Sequence, residues 1–163
     1  MRAEQEPVAT VDEDLAILDA APVSFSIFSL ARSHRMVAAG FLAPLGLYPS
    51  QEILLMRLWE HDRQSQKELA RCLGVDQSTV ARTVQRMEVG GFVSRLASVE
   101  DGRVTLVCLT DSGRVLREQV MDAWRALEQR SISGLSSEEQ DQFVALAQKI
   151  ASTLDAGAET ERE

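Results

Sequence analysis

Ser65 to Thr110 reads SQKELARCLGVDQSTVARTVQRMEVGGFVSRLASVEDGRVTLVCLT, and nearly every residue in it fits one order of elements: helix, turn, helix, strand, charged hairpin, strand. Ser65 followed three residues later by Glu68 can cap two free amides reciprocally and so starts the first helix, whose inward face is Leu69, Ala70 and Leu73. Gly74 suits a left-handed helix end, and Val75 is expected to plug the corner between the two helices. Asp76 is a favoured N-cap for the second helix, and Val80, Ala81, Val84 and Met87 recur at three- and four-residue spacing as its buried stripe. Gly90 and Gly91 stop that helix. Phe92 to Leu96 and Val104 to Leu109 are strand-like runs joined through Glu100, Asp101, Gly102 and Arg103. The order predicts a winged helix-turn-helix, mainly α with a small β-wing.

The face of the second helix opposite its apolar stripe carries Gln77, Ser78, Thr79, Arg82, Thr83 and Arg86. Amides and hydroxyls at a first turn can hold phosphate oxygens, while Gln and Arg can reach base edges, so this face suits a DNA groove. A solvated helix face is the competing reading of such a stripe, and the flanking wing decides against it. Asp101 and Gly102 favour a turn that leaves Arg103 at the hairpin tip, where it can enter a minor groove. Arg95, at the hairpin base, is expected to pair with Asp101 and brace the wing.

Outward from this stretch, residues 1–11 read as a flexible tail, and Asp12-Glu13-Asp14 as the start of a short helix through Ala20. Pro22 to about Leu42 is predicted to be a long helix, apolar on more than one side and ended by Pro44 and Gly46. Gln51 to about His61 is the next, almost continuously apolar helix. Thr110 with Asp111 starts another, running to about Ser131 with Val115, Leu116, Val120, Trp124 and Leu127. Ser136 with Glu139 forms a second capping box for a last helix carrying Phe143, Val144, Leu146, Ala147, Ile150 and Leu154, before a polar tail over residues 155–163. The expected organisation is therefore a reading module over residues 47–110 between dimerisation helices over 12–46 and 111–154. Interleaving those outer helices with a second copy would bury their apolar faces. It would also set two recognition helices about 34 Å apart, one turn of DNA.

These segments resemble the MarR family of bacterial transcriptional regulators. The resemblance rests on Leu47-Tyr48-Pro49-Ser50-Gln51, Glu68-Leu69-Ala70, Val75 to Val80, Arg86-Met87-Glu88, Gly91-Phe92-Val93 with Arg95, Asp101-Gly102-Arg103, and Leu109-Thr110 with Gly113, and runs from about residue 25 to 154. It implies a homodimeric repressor on double-stranded DNA, at a palindromic operator, released by a small aromatic or phenolic effector or an oxidant. The family's recognition positions fall on Gln77, Ser78, Thr79, Arg82, Thr83 and Arg86, and its wing arginine on Arg103. Tyr48 departs from the pattern, because the family often has a capping Thr there, so either Ser50 takes over the cap or the helix starts loosely. The implied effector crevice makes Phe28, Arg32, Met56, Trp59 and Trp124 candidates to line it, with Arg32 suited to a carboxylate or phenolate. Apolar and aromatic side chains at helical spacing are more often plain core.

Composition sets the remaining bounds. The chain has 163 residues, 45% of them apolar, enough for one domain-sized core. The net charge of −8 argues against nucleic acid until it is read locally. Arg63 to Arg117 holds nine Lys and Arg against six acids, so this window carries +3 and the rest of the chain −11. No run approaches the roughly 18 apolar residues of a membrane helix. The first residues, MRAEQEPVAT, lack the pattern of a secretory signal, so the expected compartment is the cytoplasm. Cys72 and Cys108 are too few for a disulfide framework and lack metal-ligand spacing. Neither His34 nor His61 belongs to a metal or catalytic motif, and no nucleophile elbow or phosphate loop is present. The chain is therefore read as a non-enzyme needing no metal or cofactor. Two alternatives remain: a winged-helix protein-interaction module with an unused DNA face, and a redox-responsive regulator acting through Cys72.

Overall fold

The computed structural model describes residues 19–99 and 101–160. The tail expected over 1–11 and most of the short helix expected from Asp12 lie outside the described residues; Asp19 and Ala20 are helical. In chain order the elements are α1 (Pro22–Leu42), a 3-10 turn (Ala43–Leu45), α2 (Gln51–Glu60), β1 (Gln64–Ser65), α3 (Gln66–Leu73), α4 (Gln77–Val89), β2 (Val93–Ala97), β3 (Thr105–Leu109), α5 (Asp111–Ile132) and α6 (Ser137–Thr160). The strands form one antiparallel sheet in the order β1-β3-β2, with Val93 opposite Leu109 and Gln64 opposite Val107. This is a mainly helical fold with a small three-stranded wing.

Local chemistry accounts for most boundaries. Proline in the first turn of α1 costs no hydrogen bond, because the amide it lacks would be unpaired there. At the other end Gly46 takes the left-handed conformation, φ 71°, that closes the 3-10 turn. Ser65 and Glu68 form the reciprocal cap expected of them. Ser136 and Glu139 do the same at α6.

Three expectations need correction, and one element was missed. Ser50 does not cap α2: it sits at φ 83° with its side chain uncommitted, and Gln51 instead turns back so that Oε1 accepts from Tyr48 N at 2.9 Å. Val75 remains 42% exposed, because the turn brings its amide, not its side chain, back to the Ala70 carbonyl. Strand β1 went unpredicted; Gln64 and Ser65 have no apolar alternation and are recruited by pairing with Val107 and Leu106. The residues from Asp155 are not a separate tail, since α6 runs on through Thr160. Ala156, Ala158 and Glu159 are good helix formers, so a polar composition there does not by itself mean loop.

The core lies between α2, α3, α4, the sheet and α5. Leu54, Leu55, Leu58, Leu69, Val80, Val84, Met87, Val93, Val107 and Val120 are all at most 2% exposed. Each such aliphatic side chain contributes about 1.5–3 kcal/mol relative to leaving it in water. Helix α5 is tied to this body at its first turn. The Thr110 hydroxyl donates to the Gly91 carbonyl at 2.6 Å and accepts from Gly113 N, while Trp59 Nε1 donates to the Gly113 carbonyl at 3.0 Å. Helix α1 packs along α5 through Ala38, Phe41 and Leu42 against Trp124 and Leu127. Helix α6 makes no substantial contact with the other described elements.

Candidate nucleic-acid interface

The reading face begins with a fixed corner. Gly74 ends α3 in the left-handed conformation, φ 64°, and two residues later Asp76 caps α4 by accepting Thr79 N at 2.8 Å. Val80, Val84 and Met87 turn inward and Ala81 is half-buried. Gln77, Ser78, Thr79, Arg82 and Arg86 are exposed and Thr83 is half-buried, so all six expected positions lie off the core. Gln85 shares this exposed side and was not singled out from sequence.

The hydroxyls are less free than their sequence suggests. Ser78 Oγ donates to Asp76 Oδ1 at 2.5 Å and Thr79 Oγ1 to Oδ2 at 2.6 Å, while Thr83 Oγ1 donates to the Thr79 carbonyl at 2.9 Å. The Ser78 and Thr79 hydroxyls, followed by the Thr79 amide, hold the Asp76 carboxyl far below the usual carboxylate range, so it stays ionised. An ionised carboxylate with both first-turn hydroxyl protons already committed makes the first turn of α4 a poor seat for phosphate. Gln77 and Arg82 have no partner among the described residues. Arg86 gives only Nε, to the Arg82 carbonyl at 3.4 Å, leaving the ends of its guanidinium open. The groups left open on this side are therefore two amides, of Gln77 and Gln85, and two guanidiniums.

In the wing, Val104 N closes a four-residue turn onto the Asp101 carbonyl at 2.9 Å, with Gly102 and Arg103 at its centre. Asp101 Oδ1 accepts Arg103 N at 3.0 Å, which stiffens the tip. The Arg103 side chain is exposed and makes no protein contact among the described residues, as a groove-entering arginine requires.

Arg95 does not pair with Asp101. Its Nη2 and Nε both reach Glu88 Oε2, at 2.6 and 3.0 Å, so it clasps the strand to the end of α4 instead of bracing the hairpin. The reason is geometric: Arg95 sits on β2 opposite Val107, while Asp101 is occupied in the turn beyond the paired strands. Arg95 in turn holds the Glu88 carboxyl below its ordinary value. Glu88 was missed as a functional partner; the signal was an acid in the last turn of a helix seven residues before a strand arginine.

The five effector candidates do not share one pocket within a single chain. Phe28 and Arg32 line a groove of about 590 Å³ together with Ala31, Arg35, Met36, Ala39 and Pro49. Trp124 borders a separate narrow cleft between α1 and α5. Met56 and Trp59 are half-buried against the core, with the Trp59 indole nitrogen engaged by Gly113. Cys72 is exposed; Cys108 is buried, and burial raises its thiol. Among the described residues no cluster of His, Cys, Asp or Glu is suited to a metal, and no helix is long and apolar enough to cross a membrane.

A family model described as the MarR family matches residues 47–105. An HTH-type transcriptional repressor of Mycobacterium tuberculosis is 28% identical over 138 residues, covering 85% of this chain and 99% of that protein. An HTH-type transcriptional regulator of Bacillus subtilis, YdgJ, is 31% identical over 114 residues, 70% of each chain. The crystal structure of the S. aureus MepR–DNA complex is similar with a TM-score of 0.70 at 25% identity, over 81% of this chain and 96% of that one.

Proposed function

This chain belongs to the MarR family of transcriptional regulators, and from that membership we propose that it is a homodimeric repressor on a palindromic operator, released by a small aromatic or phenolic effector. The observation that carries the reading is a recognition helix with Gln77, Arg82 and the ends of the Arg86 guanidinium open on its outer side, beside a wing whose Arg103 side chain is exposed and unpartnered among the described residues. Repression follows the relative in M. tuberculosis that is named a repressor, and DNA as partner follows the MepR–DNA complex.

In this reading Gln77, Arg82 and Arg86 reach base edges in a major groove and Arg103 enters the adjacent minor groove. Ser78, Thr79 and Thr83 present hydroxyl oxygens as acceptors, since their protons are already bound. The residues around 47–110 form the reading module, and the helices on either side bring two copies together. A two-fold dimer demands a two-fold site, hence the palindrome. The groove lined by Phe28, Arg32, Arg35 and Met36 offers an aromatic wall and two guanidiniums to an aromatic carboxylate or phenolate.

The test is a footprint on DNA recovered by the purified protein from the genome that encodes it, combined with the mass of the complex. Two copies protecting two symmetric half-sites are expected, with protection lost on adding phenolic acids. One copy on a one-sided footprint would overturn the dimeric reading, and protection indifferent to every phenolic ligand would overturn effector release.

A further inference from the structure

Between α2 and β1 the chain makes a tight passage in which Arg63 adopts φ 59°, a left-handed conformation that costs a non-glycine residue energy. The passage delivers the Asp62 carboxylate into the angle between the sheet and α5. Oδ1 accepts both Arg63 N and Leu109 N at 2.9 Å. Oδ2 accepts Arg114 Nη2 at 2.6 Å, and the same guanidinium nitrogen reaches the Leu109 carbonyl at 3.5 Å. Leu109 is the last residue of β3 and pairs with Val93 of β2; two residues along β2, Arg95 clasps Glu88 of α4. Polar contacts and strand pairing together thus link α5 through Asp62, β3 and β2 to the recognition helix. The apolar core is complete without it, and a partly buried ion pair adds little net stability once desolvation is counted. Its value is directional: it fixes how the wing leaves α5.

We propose that Asp62, held by Arg114, is a positioning residue for operator reading, setting the angle between α5 and the wing and so the spacing at which two copies read DNA. This rests on the two-headed DNA reading proposed above.

The full chain is compared with Asp62→Asn, Arg114→Ala and Arg114→Lys on the footprinted fragment and on fragments lengthened or shortened by one base pair between half-sites. Arg114 is 53% exposed in its side chain, so its alanine variant is expected to fold even if Asp62→Asn does not. Wild type prefers the native spacing; in Asp62→Asn and Arg114→Ala that preference falls by about three- to tenfold, and Arg114→Lys keeps it. In parallel, spin labels at Arg103→Cys and Glu128→Cys, in a Cys72→Ser background diluted with unlabelled protein, report the wing-to-α5 distance without DNA. That distribution broadens in the two disrupting variants. Equal loss at every spacing with an unchanged distance distribution would reduce Asp62 to scaffold and overturn the proposal, as would wild-type behaviour in both measurements. A wild-type protein that ignores every fragment would sink the regulator reading alone, since the label distances still decide whether Asp62 positions the wing.

Discussion

Asp76 binds three protons of its own helix's first turn, and the price is that Ser78 and Thr79 no longer have hydroxyl protons to offer DNA. Because its folded pKa is depressed below the ordinary 3.8, its contribution is fully present above that value and is lost as the pH falls further toward the folded value. Asp76→Asn should therefore melt below wild type at pH 7, and the gap between their melting temperatures should narrow as the pH is lowered from 4 to 2; a gap independent of pH would mean that the charge is irrelevant to the cap. Arg103 poses the complementary case, a side chain with no role in its own fold. Arg103→Ala should leave the melting temperature unchanged while weakening operator binding by about 1–3 kcal/mol in a salt-controlled titration. Unchanged affinity would remove the wing from the reading surface. The Arg95 partner was illegible from sequence because Asp101 and Glu88 are nearly equidistant along the chain, six and seven residues away, and only the strand direction chooses between them.

Elements were legible in proportion to how local their cause is. The cap at Ser65, the left-handed Gly74 and the Asp76 cap depend on three or four neighbouring residues, and all three stand where the sequence put them. Strand β1 and the Gln51 cap depend on partners or conformations that no short window encodes, and both were missed. Gly113 joins the two categories. It follows Thr110 at capping distance, yet it has to be glycine for a tertiary reason, since a Cβ there would lie 2.1 Å from the Phe92 carbonyl oxygen. That oxygen is backbone and is already held by Thr110 N at 3.1 Å, so it cannot swing aside. Gly113→Ala is expected to push α5 off the sheet, breaking the Trp59 bond to the Gly113 carbonyl, and to cost about 1–3 kcal/mol by urea unfolding, in the range of overpacked sites. A variant as stable as wild type, with Trp59 fluorescence unmoved, would show the contact to be slack.

For the molecule as a whole, the unsettled surface lies at its two ends. Helix α6 makes no substantial contact with any other described element, yet exposes Phe143, Val144, Leu146 and Leu154; α1 exposes Val23, Ile27, Phe28, Leu30 and Met36. A monomer rarely leaves so much contiguous apolar surface in water, and two copies sharing these helices would bury an area typical of a stable dimer, on the order of 1,600 Å² or more. The same proposed pairing would reconcile an acidic chain with DNA. One copy presents a local charge of only +3, whereas two linked heads would bind as a bivalent unit whose second contact is effectively intramolecular. Changing Phe143 and Leu146 together to Asp should therefore convert the dimer to a monomer in sedimentation equilibrium. Circular dichroism should lose no more helix than α6 contains, because nothing in the winged module leans on it. Operator affinity should fall by about 10²–10⁴ as the avidity of paired heads disappears. If the doubly substituted chain still sediments as a dimer, α6 is not the joining surface. If it becomes monomeric and binds the operator undiminished, a single head suffices and the acidic remainder of the chain must be held clear of DNA by some means other than symmetry.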